Sequence, residues 1–217
     1  MKNTLFIALL LFAFSVNAQK NIIFKDDFEG YDNDWKLVST KEFKVKQEEG
    51  KLFISKATQN KIMNGCLWYK KTIPNFDTSS DFSIKFDANA VSSEFVTTSF
   101  DIQWGKIYEA DGVSIKSLHQ LDFAIDKVRL SKFEMGKGGW TYYAWSDEVY
   151  DPLLNKFKAE RNTFHNYEIM QEDKLLKVMI DGKLVYKIAI EPKIGSEIGF
   201  QRCLKGELLF DNIVIKQ

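Results

Sequence analysis

Residues 166–217 read NYEIMQEDKLLKVMIDGKLVYKIAIEPKIGSEIGFQRCLKGELLFDNIVIKQ, and this stretch decides the fold. Within it, Leu176, Val178 and Ile180 fall on alternate positions, the period-2 pattern of a strand with one buried face. Asp181-Gly182 follows at once, and this dipeptide suits the positive φ values of a tight hairpin turn. Hairpins without an intervening helix predict an antiparallel sandwich and argue against an α/β enzyme.

The same alternation recurs upstream. Residues 82–88 (FSIKFDA), 100–104 (FDIQW) and 121–125 (LDFAI) carry an apolar side chain at every second position. Residues 21–28 (NIIFKDDF) read as an opening strand that ends in an acidic turn. About a dozen strands at the spacing typical of sandwiches and barrels predict an all-β chain that folds into two packed sheets.

The closing strand changes phase along its length. Leu208 and Phe210 share one phase of the alternation, whereas Ile213 and Ile215 share the other. One inserted residue exchanges the two faces of a strand. The sequence therefore predicts a β-bulge near Asp211-Asn212.

The N-terminus has the anatomy of a secretory signal peptide. Lys2 gives a positive start, residues 5–14 form an unbroken apolar run, and residues 16–18 place small side chains at the cleavage positions. The run is too short for a permanent membrane anchor, which is the alternative, and no later segment is apolar for long enough to span a bilayer. We expect cleavage near Ala18, a single domain over residues 19–217, and a secreted or periplasmic location.

The balanced charge of the chain argues against a nucleic-acid partner. Lys and Arg total 30, and so do Asp and Glu, so the chain has no basic footprint for nucleic acid. The 18 Phe, 8 Tyr and 5 Trp suit strands.

Two cysteines, Cys66 and Cys203, allow one disulfide in an exported chain. Two separate buried thiols are the alternative, because connectivity cannot be deduced from spacing. The two histidines, His119 and His165, lie far apart in the sequence, which argues against a zinc site.

Several elements in order resemble those of a known superfamily. The first half of the chain contains an opening F-x-D-D-F (Phe24, Asp26, Asp27, Phe28) followed by Trp35, an F-x-x-x-W-G strand (Phe100, Trp104, Gly105) and a G-x-W-T segment with Trp140. The second half contains an N-x-Y-x-I strand (Asn166, Tyr167, Ile169), a DG turn (Asp181, Gly182), an I-G-F element (Ile198, Gly199, Phe200) and a closing F-D-N-I-V-I (residues 210–215). Over roughly residues 24–217 the chain resembles the concanavalin A-like lectin/glucanase superfamily, specifically the laminin-G-like modules of exported bacterial proteins.

The resemblance implies a jelly roll of two antiparallel sheets in which the first and last strands are adjacent. The superfamily includes glycan-binding modules, glycosidases, 3-keto-disaccharide hydrolase-like domains and protein-adhesion modules, so a shared fold does not decide the function.

No catalytic residues are assigned from the sequence. The E-x-D-x-x-E strand of laminarinase-type glucanases is missing. Asp122 and Asp126 lie four residues apart, roughly 13 Å along a strand, which is too far for either glycosidase geometry. The chain also lacks a G-x-S-x-G nucleophile motif.

Residues 139–147 (GWTYYAWSD) form the best candidate for a glycan site. Aromatic rings offer flat apolar surfaces to sugars, and amide and carboxylate groups offer hydrogen bonds. Both faces of this strand are aromatic, so we expect one set to line a concave sheet face near polar residues of the 100–104 strand. The alternative is that one set packs in the core and the other forms an ordinary cross-strand pair. The candidate ligand-binding residues are Trp140, Tyr142, Tyr143, Trp145, Asp101 and Gln103.

A calcium site is a second hypothesis. Asp26, Asp27 and Asp211 lie on segments that the superfamily layout brings together, and calcium prefers clustered oxygen ligands. The alternative is that these carboxylates bond to nearby turn backbone. No other cofactor is expected.

The sequence therefore predicts a secreted, non-catalytic recognition module that binds polysaccharide or glycoconjugate. Two alternatives remain open: a glycoside-processing hydrolase of the glucanase or 3-keto-disaccharide hydrolase-like type, and a protein-adhesion module.

Overall fold

The computed structural model describes residues 20–56, 67–92, 100–110, 113–124, 126–135, 141–146, 158–160, 162–202 and 206–217. Within these ranges, the side chains of 68, 92, 107–110, 113–116, 132–135, 141–146 and 202 are not described. Among the described residues, no helix has the length and apolar character needed to cross a membrane.

The regular structure of these ranges consists of strands. They are β1 (Ile22–Asp26), β2 (Val38–Ser39), β3 (Phe43–Glu48), β4 (Lys51–Lys56), β5 (Leu67–Thr72), β6 (Phe82–Ser92), β7 (Phe100–Ala110), β8 (Val113–Phe123), β9 (Val128–Met135), β10 (Thr141–Ser146), β11 (His165–Glu172), β12 (Leu175–Ile180), β13 (Lys183–Ala189), β14 (Glu197–Arg202) and β15 (Gly206–Lys216).

Two antiparallel sheets form a jelly-roll sandwich, which confirms the predicted fold class. The nine-stranded sheet has the order β13-β12-β11-β6-β15-β4-β3-β2, with β1 also paired to β15. The six-stranded sheet has the order β10-β9-β8-β7-β14-β5. The first and last strands are neighbours, as expected, and reciprocal 2.9 Å bonds between the backbones of Asn21 and Gln217 extend their pairing.

The two local predictions in the C-terminal stretch are confirmed. Asp181 and Gly182 have φ values of 50° and 74° and join β12 to β13. Both central residues of a tight twisted hairpin turn need positive φ. In β15 the register with β6 shifts between Asp211 and Val214, and Asn212 has a φ of 52°. This bulge lets residues on both sides of it face the core.

The core lies between the sheets and is rich in aromatic rings. Phe210 of the nine-stranded sheet packs against Phe200 and Phe100 of the six-stranded sheet, with ring centroids 4.1 and 5.8 Å apart. Further along, Phe82 meets Trp104 edge-on at 6.1 Å. Such rings bury large apolar areas, and their packing fixes the two sheets against each other. The outer face of each sheet is then set by the residues of opposite phase.

Candidate functional site

Strand β7 illustrates how the sequence separates the core from the outer face. Phe100, Ile102 and Trp104 are at most 2% exposed and belong to the core. Asp101 and Gln103 alternate with them and therefore lie on the outer face of the six-stranded sheet. These are the two polar residues that the sequence analysis selected on this strand.

The strand register extends Gln103 into a row across the sheet, which we call the polar row. Directly paired residues place one member on each of five neighbouring strands: Lys70 on β5, Gly199 on β14, Gln103 on β7, Gln120 on β8 and Ser131 on β9. Residues that stand opposite each other in an antiparallel sheet share a face. The outer face therefore carries a line of polar side chains that is interrupted at Gly199.

The glutamines of this face are buried and bonded to one another. Gln103, Gln120 and Gln201 are only 4–6% exposed. The side-chain amide of Gln103 donates to Gln120 Oε1 at 2.7 Å and lies 3.5 Å from Gln201 Oε1. Buried amides are costly unless they are hydrogen-bonded, and mutual bonding holds their positions. These amides are therefore held in fixed positions, with little of their own surface exposed.

Gly199 leaves a gap in the polar row. A Cβ at this position would lie 3.3 Å from Gln103 Oε1 and 3.4 Å from the Tyr69 carbonyl oxygen, so the Gln103 side chain would have to shift by a few tenths of an ångström. Since Gly199 carries no side chain, the sheet is indented between Lys70 and Gln103. The resulting shallow depression is lined by Lys70, Gln103, Gly105, Leu118, Glu197 and Gly199, among others.

Gly105 has a different role at the end of this depression. Its φ of 131° lies in a region that L-residues rarely adopt, and a Cβ there would overlap the Ser117 carbonyl group. The backbone of Gly195 also packs directly on Gly105. Thr78 anchors that segment, because its N–H donates to the Gly195 carbonyl oxygen at 2.9 Å. Two glycines therefore fix the depth of the depression.

Two ion pairs border the glutamines. Lys70 Nζ lies 3.0 and 3.3 Å from the two carboxylate oxygens of Glu197. Arg129 donates to Asp122 Oδ2 at 2.5 Å, and the other oxygen of Asp122, Oδ1, is buried without a hydrogen-bond partner in the described part of the chain. Asp101 stands directly opposite Asp122 in the register. Charged groups thus lie on both sides of the amides, each cation beside a carboxylate.

The aromatic candidates are only partly placed by the structure. Trp140 lies outside the described residues. Strand β10 is at the edge of the six-stranded sheet. Trp145 pairs with Ser131 in the register, so Trp145 occupies the next position of the polar row. The side chains of Tyr142, Tyr143 and Trp145 lie outside what the structure describes. Their roles in ligand binding stay predictions.

Asp26, one of the three calcium candidates, is buried and bonded within its own segment. Its Oδ1 accepts the Phe28 N–H at 2.8 Å, and its Oδ2 accepts the Trp35 indole N–H at 2.5 Å. These contacts close the acidic turn onto the core, where Trp35 stacks on Tyr69 at 5.8 Å. Both oxygens of Asp26 therefore serve the fold in this conformation.

Asp27 and Asp211 are also bonded to nearby backbone. Asp27 accepts the Glu29 N–H at 3.3 Å, and Asp211 accepts the Asn212 N–H at 2.7 Å. Burial, together with the charges of Asp87 and Asp27, raises the pKa of Asp211, so these carboxylates do lie near one another. Among the described residues, no three His, Cys, Asp or Glu side chains are grouped to hold a metal. The calcium hypothesis stays a prediction.

Cys66 and Cys203 lie outside the described residues. Their described chain neighbours are informative, because Leu67 pairs with Arg202 at the ends of β5 and β14. The disulfide also stays a prediction.

Sequence reasoning missed most of the outer face. It found Asp101 and Gln103 by alternation but did not select Lys70, Gln120, Glu197, Gly199 or Gln201. Gln120 and Asp122 alternate with Leu121 and Phe123, a signal that could have placed them on the outer face. The search for paired carboxylates within one strand also missed the Asp101–Asp122 pair, which forms only across two strands.

Comparisons with known proteins agree on the fold. No protein-family model and no curated protein matches the sequence. Three solved structures share the architecture. The cellulose-induced protein Cip1 matches with a TM-score of 0.58 and 12% identity, over 88% of this chain and 96% of that one. The kappa-carrageenase from Pseudoalteromonas carrageenovora, in complex with a carrageenan oligotetrasaccharide, matches with a TM-score of 0.56 and 12% identity, over 93% and 97% of the two chains, and a protein of unknown function with a galectin-like fold from Bacillus subtilis matches with a TM-score of 0.54 and 9% identity, over 92% and 97%.

These likenesses show a jelly-roll fold consistent with the concanavalin A-like superfamily. At such low identities they do not define a family, and the finer laminin-G-like resemblance stays a prediction.

Proposed function

We propose that this chain is a non-catalytic recognition module that binds polysaccharide or glycoconjugate on the outer face of its six-stranded sheet. The observation that carries the proposal is the polar row, in which buried amides lie beside the gap at Gly199. Amide groups both donate and accept hydrogen bonds, as sugar hydroxyls require. Since the amides are already fixed by mutual bonds, little conformational freedom is lost when a ligand binds.

The comparisons support the ligand class. The kappa-carrageenase has the same architecture, and its structure is a complex with an oligotetrasaccharide of kappa-carrageenan. This likeness supports a carbohydrate as the ligand class of this chain. The aromatic residues of β10, at the next position of the polar row, would add stacking surface.

A microarray of plant, algal and microbial polysaccharides, probed with the intact chain, tests this function. We expect hits that Gly199→Val weakens at least tenfold, because the new side chain fills the depression while the backbone of Gly199 needs no unusual φ. Ala189→Val, at an exposed position on β13 of the other sheet, is the matched control. Gly199→Ala replaces Gly199→Val if the larger side chain prevents folding. Full binding by a folded Gly199 variant, or no hits at all, would refute the proposal.

A hydrolase is the second candidate, and the Asp101–Asp122 pair favours it. Side chains directly opposite on antiparallel strands have Cβ atoms about 5 Å apart, compatible with the carboxyl separation of about 5–5.5 Å in retaining glycosidases. Reducing-end assays on every array hit decide between the two functions. Turnover that Asp101→Asn abolishes would favour the enzyme, whereas binding without turnover supports the recognition module.

We also propose that the chain is exported, with cleavage near Ala18. N-terminal sequencing of the protein recovered from the cell envelope and from the medium tests both the location and the cleavage site. A mature protein that retains residues 1–18 would contradict it.

A further inference from the structure

We propose that the outer face of the nine-stranded sheet docks on an anionic phospholipid bilayer, an inference that goes beyond the proposed glycan-binding function. Lys and Arg total 30, and so do Asp and Glu, so the charges of the chain balance overall. They do not balance on the part of this face that lies between the bulge at Asn212 and the end of β15. The excess there is positive.

The outward positions of β1, β15, β6, β11, β12 and β13 form this surface, which we call the lysine face. Its charged side chains are five lysines, Lys25, Lys85, Lys177, Lys187 and Lys216, and two glutamates, Glu168 and Glu172. The turns at the ends of these strands carry both signs, with Lys20, Lys174, Lys183 and Lys193 against Asp77, Asp81, Asp173, Asp181 and Glu191. Cations therefore remain in excess when these turns are included, with nine lysines against seven carboxylates.

Most lysines of this face are not committed to a carboxylate. Glu172 lies 3.0 Å from Lys177 and 3.2 Å from Lys20. On the other sheet, by contrast, Lys70 is held by Glu197 at 3.0 Å. Four lysines of the face are exposed and form no ion pair with any described residue: Lys25, Lys85, Lys187 and Lys216. Their charges are therefore available to an anionic partner.

The register also brings like charges together on the lysine face. Lys177 on β12 stands directly opposite Lys187 on β13. Like charges at directly opposed positions destabilise an antiparallel pair, and only Lys177 of these two has a carboxylate partner. Folding alone does not require this arrangement, whereas a partner that binds cations does.

Apolar side chains lie between the lysines and favour a bilayer over a hydrated acidic polymer. Ile22 stands opposite Lys216 and is 59% exposed, and Leu184 stands opposite Met179 and is 37% exposed. Proteins that lie on a membrane combine cations for the lipid phosphates with apolar side chains that enter the headgroup region. A hydrated acidic polysaccharide offers these side chains no apolar layer to enter.

The lysines are spread over the face and do not converge on one point. They lie on five strands, and since neighbouring strands are about 4.8 Å apart, the six strands of the face span roughly 24 Å. Lysine is a flexible point charge, whereas recognition of a single sulfate or carboxylate favours the planar fork of arginine. Such spacing suits a layer of phosphates. Docking through this face leaves the depression at Gly199, on the opposite sheet, directed away from the membrane.

Vesicle sedimentation of the exported protein tests the proposal. Vesicles of phosphatidylcholine and phosphatidylglycerol mixed two to one are compared with vesicles of phosphatidylcholine alone, at low and at high salt. We expect binding to the mixed vesicles to be at least about tenfold stronger than to the neutral ones, and to be lost at high salt because salt screens exposed charges. Equal binding to both vesicles, or binding to neither, would overturn the proposal.

The double variant Lys85→Gln/Lys216→Gln provides the sharper arm of the test, because it removes two exposed charges from neighbouring strands of the face. We expect it to bind the mixed vesicles at least about tenfold more weakly, since each lysine near an anionic surface contributes about fivefold. Lys41→Gln/Lys127→Gln removes the same charge from exposed turns outside the face and is the matched control. An equal loss in both variants would show that only the net charge acts, and unchanged binding by the first would show that the face is not used; either result would overturn the proposal.

Acidic polysaccharide is the competing partner for the same charges. Polygalacturonate is therefore titrated against the protein and against the Lys85→Gln/Lys216→Gln variant. We expect the protein to bind it more weakly than the mixed vesicles. Polygalacturonate binding that depends on these lysines, without binding to the mixed vesicles, would assign the face to a polysaccharide and exclude the bilayer.

Discussion

Polar side chains at the centre of the six-stranded sheet's outer face are more deeply buried than the Glu172–Lys177 ion pair on the outer face of the nine-stranded sheet. On the six-stranded sheet, Gln103, Gln120 and Asp122 are at most 7% exposed and are bonded across strands. On the nine-stranded sheet, Glu172 and Lys177 form an ion pair while each remains about a third exposed. Both faces consist of residues that alternate with the core, so the sequence pattern alone does not distinguish them.

The difference shows that the six-stranded sheet holds the polar side chains of its outer face in fixed positions. Exposed ion pairs contribute little to the free energy of unfolding, and they tolerate substitution because water replaces a lost partner. Buried polar groups must be satisfied by one another, so each depends on its neighbours. A surface that only faced solvent would not need that dependence, which makes the six-stranded face the better place to look for a ligand.

The largest expected effect concerns the edge of that face where β5 meets β14. Leu67 and Arg202 are paired at this edge, and Cys66 and Cys203 are their neighbours in the sequence, so we predict that the two cysteines form a disulfide. We expect the oxidised protein to lose about 2–4 kcal/mol of stability on reduction, since the bond closes a long loop. Mass spectrometry of a non-reduced digest, with urea unfolding with and without reductant, checks both points. Two alkylatable thiols in the exported protein would contradict it.

Gly105→Ala should lower the free energy of unfolding by about 3 kcal/mol. The new Cβ would overlap Ser117, and the φ of 131° strains any L-residue. Gly182→Ala, in the β12–β13 hairpin of the other sheet, is the control for positive φ alone, since nothing lies within 4 Å of the added Cβ. We expect it to cost about 1 kcal/mol. Equal losses in urea unfolding would show that the close packing at Gly105 contributes nothing.

Asp122→Asn and Glu172→Gln test the two faces with the same chemistry. Asp122→Asn should lower the free energy of unfolding by about 2 kcal/mol, because it removes the buried negative charge that faces the Arg129 guanidinium; this value allows for the partial exposure of Arg129. Glu172→Gln should cost about 0.5 kcal/mol. Chemical unfolding at neutral pH measures both values. The contrast between the faces fails if the two losses are the same.

Asp211→Asn should be mildly stabilising. Asp211 and Asp87 stand directly opposite on β15 and β6, and burial with the nearby charges raises the pKa of Asp211. The folded state therefore favours the protonated form, so ionised Asp211 destabilises the protein above that raised pKa. The penalty disappears as the pH falls to the ordinary value. We expect a gain of about 0.5 kcal/mol at neutral pH that vanishes in acid, measured by thermal unfolding across pH. A gain that persisted at low pH would exclude this origin.

The fold could be predicted from sequence because its signals are local. Alternation in residues 82–88, the Asp181-Gly182 turn and the phase change near Asp211 each need only a few neighbouring residues. The adjacency of the first and last strands is not local, and it came from the superfamily resemblance.

The candidate site was harder because its members meet only through strand order. Gln103 and Gln201 are 98 residues apart in the chain, yet their side chains approach within 3.5 Å because β14 lies beside β7. The gap at Gly199 gives no signal of its own, since a glycine in a strand has several common explanations. Burial of the glutamines depends on tertiary packing and likewise cannot be read from alternation.

The pairing of Asn21 with Gln217 has a practical consequence for experiments on this molecule. Both ends of the described chain leave from the nine-stranded sheet, so a tag or surface linker at either end points away from Gly199 and Gln103. The same proximity permits circular permutation, in which a short peptide joins the old ends and new ones open at an exposed turn such as Asp181-Gly182. Such a permutant would carry a reporter at the Asp181-Gly182 turn and leave the outer face of the six-stranded sheet unchanged.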